Sequence, residues 1–237
     1  MSLARRALLP VMLLAGILSG CLSQDLPPRP GVPTDQERLV ERSTLALQAF
    51  RVDANFRQLP LYVQNAWAVV VIPDTLKAGF IAGAEYGSGL MMIRNVQTGG
   101  WHEPVFINLY GGSFGLQFGG KTSDLVFTVM NENSVRKILA NQMKLGADAS
   151  VTVGQRGGGI GAGTTLNLGE DLYVFARSQG LFGGFALDGT ALTTRHDWNA
   201  AYYGRVVTTD EITQGGVVSN PASRRLQDEL GAFDTMR

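Results

Sequence analysis

From Ala66 onward the chain breaks into short apolar or alternating runs closed by glycine or proline, and that rhythm admits few folds. Residues 68–72 stop at Pro73, residues 78–93 carry Gly79, Gly83, Gly87 and Gly89, and Gly99-Gly100 reads as a turn. Residues 101–110, 113–118 and 124–130 read as further strands, and the pattern resumes at 149–153, 161–168, 171–177, 184–187 and 191–194. Helical signals are few by comparison. With too few helices for βαβ crossovers, the chain is α+β and mainly antiparallel. Glycine inside strands permits bulges, bends and close backbone approach. The expected body is a strongly curved sheet or small barrel.

Three helices accompany it. Thr34-Asp35-Gln36-Glu37 reads as a capping box that opens a helix over residues 35–50 directly after a proline. Leu39, Val40, Ala46, Leu47 and Phe50 fall on one stripe, with Arg38 and Arg42 on its flank. Such a helix lies on a membrane surface or closes the domain core, and mixed charge on its polar face favours the core. A mid-chain helix is expected over residues 133–145, stopped by Gly146. A short C-terminal helix starts at Asn220-Pro221 and ends at Gly231.

The N-terminus carries a different message. Arg5 and Arg6 precede an apolar stretch from Ala7 to Ile17, about 11 residues, where a spanning helix needs roughly 20. The stretch ends in Leu18-Ser19-Gly20-Cys21, which resembles the bacterial lipobox and contains the chain's only cysteine. That resemblance implies a signal peptide over residues 1–20 and a Cys21 acylated on sulfur and on its new amine. One myristoyl chain binds a bilayer with an association constant of about 10⁴ M⁻¹, so two or three longer chains hold the protein firmly. Leu22 stands where retention at the inner membrane usually calls for Asp, which favours the outer membrane, at its periplasmic face or the cell surface. Residues 21–34 contain Pro27, Pro28, Pro30 and Pro33 and read as a spacer, leaving 35–237 as the domain. Removing residues 1–20 takes Arg5 and Arg6 and leaves 18 basic against 20 acidic side chains. That balance, with no basic block, argues against nucleic acid as a partner. Neither a disulfide nor a catalytic thiol remains.

Several motifs invite a catalytic reading. Residues 115–122, GLQFGGKT, satisfy G-x-x-x-x-G-K-[ST], but strand-like residues follow where a phosphate loop must open a helix. A strand, a Gly119-Gly120 turn and another strand fit better. The glycine run 157–163 lacks dinucleotide spacing and reads as a hairpin or loop. His102 and His196 each adjoin an acid, Glu103 and Asp197, but neighbours in a strand point to opposite faces. No metal-ligand spacing and no nucleophile elbow occur. The expectation is a protein with no catalytic residues, metal or cofactor. Leu181 and Phe182, in a glycine-rich loop, are a bilayer wedge if exposed and core if buried.

Taken in order, Ala78-Gly79-Phe80-Ile81 through Tyr86-Gly87-Ser88-Gly89, Trp101-His102-Glu103-Pro104, Ser113 through Gln117-Phe118-Gly119, and Leu145-Gly146-Ala147-Asp148-Ala149-Ser150 resemble the SYLF domain. Ser178-Gln179-Gly180-Leu181-Phe182-Gly183-Gly184, Leu187-Asp188-Gly189 and Tyr202-Tyr203-Gly204 continue the likeness, which spans about residues 37–232. The resemblance implies phospholipid binding, with phosphoinositides in eukaryotic members and actin bundling in some fungal ones. In those members a basic N-terminal amphipathic helix contributes to lipid contact; here only Arg38 and Arg42 share a face. The expected function is therefore a non-enzymatic, membrane-anchored lipoprotein that binds phospholipid surfaces. Cys21 is its anchor, and Arg38, Leu39, Arg42, Leu181 and Phe182 are its contacts. The alternative is a structural or protein-recognition module for an envelope or host protein, or for actin by family analogy.

Overall fold

The computed structural model describes residues 31–79, 82–114, 119–153, 169–178 and 190–236, and the elements below lie in the compact unit that begins at Pro33. Helix α1 (Asp35–Val52) opens on the expected capping box. The Thr34 hydroxyl accepts from the Glu37 amide at 3.2 Å, and the Glu37 carboxylate accepts from the Thr34 amide at 2.7 Å. A 3₁₀ turn (Ala54–Phe56) and α2 (Leu59–Asn65) lead into four long strands, β1 (Ala68–Gly79), β2 (Ala82–Ile93), β3 (Val105–Phe114) and β4 (Gly119–Val129). Helix α3 (Glu132–Leu139) follows, then β5 (Met143–Lys144), β6 (Val151–Val153), β7 (Leu172–Ser178) and β8 (Ala191–Thr194). The chain closes with α4 (His196–Tyr203), α5 (Thr209–Thr213), a 3₁₀ turn (Pro221–Ser223) and α6 (Arg224–Asp234).

The eight strands form one sheet in the order β5-β8-β3-β2-β1-β4-β7-β6. Every described pair is antiparallel except β6 with β7. The sheet curls strongly into a half-barrel, as the glycine-rich strands lead one to expect. Alternating side chains feed two cores. On one face Val69, Val71, Leu90, Met92, Phe106, Val126 and Phe175 pack against Leu39, Leu47 and Phe50 of α1 and Leu226, Leu230 and Phe233 of α6. On the other, Val70, Met91, Ile107, Phe127 and Val174 pack with Val135 and Ile138 of α3 and Ile212 of α5.

Several boundaries differ from the sequence reading: β2 begins at Ala82 rather than residue 78, β3 spans Val105–Phe114 rather than residues 101–110, and four further differences have a local reason. Strand β1 does not stop at Pro73. Pro73 and Asp74 bulge out opposite the single residue Asp124, and pairing resumes at Thr75↔Ser123. The missing proline N–H is thereby taken out of the ladder. Gly87 and Gly89 make room: a Cβ on Gly89 would lie 2.3 Å from the Val71 carbonyl oxygen, and one on Gly87 2.5 Å from Ile72 Cγ2. Helix α3 ends at Leu139, because Asn141 turns left-handed (φ 59°) and its side chain accepts from the Thr194 amide; residues 143–144 join the sheet instead. Helix α6 runs through Gly231 to Asp234, since Phe233 is buried and Asp234 is held by Arg94 at 3.0 Å. Gly119 and Gly120 are not a turn but the first pairs of β4, facing Gly79 and Ala78 of β1. The strand that continues through Lys121 and Thr122 removes the helix N-terminus on which a phosphate loop depends.

Candidate functional site

The helix-side core ends partway along the central strands. Beyond Leu90 and Met92, Ser88 and then Tyr86 continue the same face of β2, and beyond Phe106, Asn108 and then Tyr110 continue it on β3. The bulge adds one residue to β1 and so resets its alternation, which brings Leu76 directly opposite Tyr86. Leu76, Tyr86 and Tyr110 therefore form a row across three strands. All three lie beyond the helix layer, 52%, 46% and 46% exposed. The rings of Tyr86 and Tyr110 stand 5.4 Å apart at 52°. Their hydroxyls are held by a chain of hydrogen bonds. Tyr86 Oη lies 3.2 Å from Ser88 Oγ, Ser88 Oγ donates to Asn108 Oδ1 at 2.9 Å, and Asn108 Nδ2 donates to Tyr110 Oη at 2.7 Å. Half-exposed aromatic rings fixed in this way bury large area at little cost in side-chain entropy when something covers them.

One row closer to the core lies a groove of about 270 Å³ between α1 and the bulge. Arg42, Leu45, Ala46 and Ala49 line it from the helix, and Pro73, Asp74, Asp124 and Arg177 from the sheet. Arg42 bonds Asp74 at 3.2 Å, Arg177 lies 3.6 Å from Asp124 and 3.8 Å from Asp53, and Asp124 Oδ1 accepts from the Asp74 amide at 3.2 Å. Burial pushes the Asp124 carboxyl above the ordinary aspartate range; the bond from the Asp74 amide draws it back, and the Asp74 carboxylate pushes it up again.

The acids beside the two histidines bond elsewhere. Glu103 accepts a bond from Ser223 Oγ at 2.5 Å, and burial pushes its carboxyl up against the pull of Ser223, Asn220 and Gln227. Burial lowers the His102 imidazole. His196 is exposed at the start of α4, where Asp197 pairs with Arg195 at 2.6 Å. Among the described residues no three His, Cys, Asp or Glu side chains are grouped to hold a metal ion, and no helix is long and apolar enough to cross a membrane.

The residues singled out from sequence meet different fates. Leu39 is buried in the helix-side core, 1% exposed, because it lies on the stripe that α1 turns toward the sheet; it has no surface to offer a bilayer and that expectation is corrected. Arg38 is exposed but bonded to Asp35 at 2.5 Å and to the Pro33 carbonyl. Arg42 lines the groove. Cys21, the spacer's prolines up to Pro30, the glycine run 157–163, and Leu181 and Phe182 lie outside the described residues. Sequence reasoning passed over Leu76, Tyr86, Tyr110, Asp74 and Arg177. The alternation Tyr86-Ser88-Leu90-Met92 assigns a face, but not where the helices on that face stop.

Residues 110–233 match the model of the Ysc84 family, described as Las17-binding protein actin regulator. Similar curated proteins include the SH3 domain-containing YSC84-like protein 1 of Xenopus laevis, 29% identical over 176 residues that make up 73% of this chain and 52% of that protein. Protein YSC84 of Saccharomyces cerevisiae is 30% identical over 168 residues, 70% of this chain and 36% of its own. The Homo sapiens YSC84-like protein 1 is 27% identical over 176 residues, 74% of this chain and 51% of that protein. The chain thus spans about a third to a half of the length of these relatives.

Proposed function

The chain belongs to the Ysc84 family, and from that premise we propose that it is a non-enzymatic binding domain, held by an acylated Cys21 at a bacterial envelope membrane, which grips phospholipid surfaces through the uncovered end of its sheet. The observation that carries this reading is the exposed row Leu76–Tyr86–Tyr110. Tyrosine combines an apolar ring with a polar tip and is enriched at membrane–water interfaces for that reason. Strand ends Gly79, Ala82, Phe114 and Gly119 lie side by side beyond this row, and the sequence joining them, Phe80-Ile81 and Gly115-Leu116-Gln117-Phe118, is largely apolar. The signal peptide over residues 1–20, the proline-rich spacer 21–34 and an outer-membrane location belong to the same proposal and rest on the lipobox. Tethering raises the local concentration of the domain at the lipid, so a weak intrinsic affinity suffices.

Helix α1 has a lesser part in this reading than its sequence suggests. Its apolar stripe is consumed by the core, and Arg38 and Arg42 are both ion-paired. The test is co-sedimentation of the Cys21→Ser chain with phospholipid vesicles. Binding that weakens at least tenfold in Tyr86→Ala and Tyr110→Ala supports the proposal; no binding to any phospholipid composition removes it.

A second reading has one observation in its favour: the paired charges of the groove make a surface of mixed polarity beside the tyrosines, suited to a protein partner. The family description, an actin regulator that binds Las17, points the same way. Under this reading the same tyrosines hold an envelope or host protein. Co-sedimentation with filamentous actin, lost in the same two variants while vesicles fail to bind, selects it.

A further inference from the structure

The groove between α1 and the β1 bulge has an unusual charge layout for its size. Its lining presents two guanidinium groups, Arg42 and Arg177, and two carboxylates, Asp74 and Asp124, over an apolar floor of Leu45, Ala46, Ala49 and Pro73. The four formal charges cancel. A net anion entering the groove meets Asp74 and Asp124, and a net cation meets Arg42 and Arg177. A ligand bearing both signs a few ångströms apart finds a partner for each.

The resident ion pairs leave room for exchange. Arg177 reaches its carboxylates only at 3.6 and 3.8 Å, and Arg42 and Asp74 are both about half exposed. An exposed pair such as Arg42–Asp74 contributes little to stability, so a ligand displaces it at small expense. The backbone around them is held more firmly. Asp74 sits at φ 52°, a left-handed conformation uncommon outside glycine, and its amide is fixed on Asp124 Oδ1. Strained residues at bulges cluster where a side chain must be aimed. Here the bulge carries the Asp74 carboxylate to Arg42 while its amide draws the Asp124 carboxylate alongside, so that two like charges face one space. Burial, and after it the proximity of the Asp74 carboxylate, push the Asp124 carboxyl upward, while the Asp74 amide and Arg177 draw it down.

We propose that this groove binds a phosphoethanolamine headgroup, its phosphate on Arg42 and Arg177 and its primary ammonium between Asp74 and Asp124. Guanidinium forks suit phosphate oxygens. A primary ammonium donates three hydrogen bonds and suits paired carboxylates, whereas the quaternary group of choline donates none. The inference deepens the membrane reading and rests on it for the source of the ligand. Asp74 and Asp124 lie two residues along their strands from Leu76 and Thr122, about 7 Å, so a lipid headgroup level with the tyrosine row is within reach of the groove.

The chain with Cys21→Ser is titrated with soluble glycerophosphoethanolamine, glycerophosphocholine and glycerophosphate, and with phosphatidylcholine vesicles doped with phosphatidylethanolamine or phosphatidylglycerol. Preference for the ethanolamine compound over the other two by at least tenfold is expected. Asp124→Asn keeps the acceptor for the Asp74 amide but removes a charge, and should abolish that preference and shift it toward glycerophosphate. Arg177→Gln should weaken all three without reversing the order. Equal binding of glycerophosphate and glycerophosphoethanolamine overturns the proposal, as does an ethanolamine preference indifferent to both variants. Vesicle binding that depends on Tyr86 and Tyr110 yet ignores the headgroup refutes the groove and leaves the membrane reading intact. Selective binding of soluble glycerophosphoethanolamine without vesicle binding upholds the groove as a small-zwitterion site and refutes the membrane reading.

Discussion

The two ends of the central strands share the same backbones and differ in what covers them. At one end Val71, Leu90 and Phe106 lie under α1, α4 and α6, none of them more than 1% exposed. Four pairs further along β2 and β3, and five residues further along β1, the same face carries Tyr86, Tyr110 and Leu76, which are about half exposed. The covered end also carries the firm polar ties. Arg94 donates to the Ala66 and Val63 carbonyls at 3.0 and 2.7 Å, pairs with Asp234 and lies 4.2 Å over the Trp101 ring. At the open end the polar groups bond to one another along a surface. One end therefore carries stability, and the other is available for recognition.

Substitutions at the two ends should separate these roles. Phe106→Ala, at the covered end, removes a ring packed between Trp198 and Tyr202 and should cost about 3–5 kcal/mol. The expected fall in Tm is roughly 6–20 °C, at about 2–4 °C per kcal/mol for a chain of this size. A Tm shift under 2 °C in calorimetry contradicts the assignment. Gly89→Ala should come next, at about 1–3 kcal/mol, because its Cβ lands 2.3 Å from the Val71 carbonyl, a backbone atom that has little freedom to move. If Gly89→Ala melts with the parent, the close passage of β1 over β2 is wrong. At the open end Tyr86→Ala and Tyr110→Ala should each change unfolding free energy by less than about 1 kcal/mol while weakening vesicle binding tenfold. Loss of stability comparable to Phe106→Ala would mean that the tyrosines are core, and the contrast between the ends would collapse.

Acid titration offers a finer comparison, since the two regions contain aspartates shifted in opposite directions. Burial alone would raise Asp171, at the start of β7, but bonds from the Ser150 amide, Asn131 and the Ser150 hydroxyl outweigh it and hold its carboxyl below the ordinary range. Its contribution is present above the unfolded value, near pH 4, and is lost as pH falls through the lowered folded value. Asp124 is raised, so its contribution is complete below the unfolded value and is lost as pH rises through the folded one. In urea melts taken between about pH 3 and pH 6, Asp171→Asn should flatten the acid side of the stability profile and Asp124→Asn should steepen it. Identical profiles for the two variants would refute the opposed environments.

The capping box at Thr34, the stripe of α1, the antiparallel strands and the curl were legible because each is written in neighbouring residues: a hydroxyl three places before a glutamate, apolar groups at helical spacing, alternation broken by glycine. The short helices α2, α4 and α5 were not: in seven, eight and five residues periodicity registers only where an apolar stripe stands out, as Val135 and Ile138 do in the eight residues of α3. Leu39 shows the limit from the other side. Its place on an apolar stripe was plain, but whether that stripe met lipid or sheet depended on Val69, Val71 and Leu90 arriving from elsewhere in the chain.

Local order in this protein, then, follows from sequence spacing: which residues alternate along a strand, where a helix begins, which side of α1 is apolar. Coverage does not. Tyr86 and Leu90 occupy the same face of one strand, yet only one of them is buried, because the helix layer ends between them. The bulge at Pro73-Asp74 likewise takes its meaning from β4, β7 and α1, which bring Asp124, Arg177 and Arg42 to it from three separate segments. Burial and charge pairing depend on distances across the fold, and those distances are set by packing rather than by position along the chain.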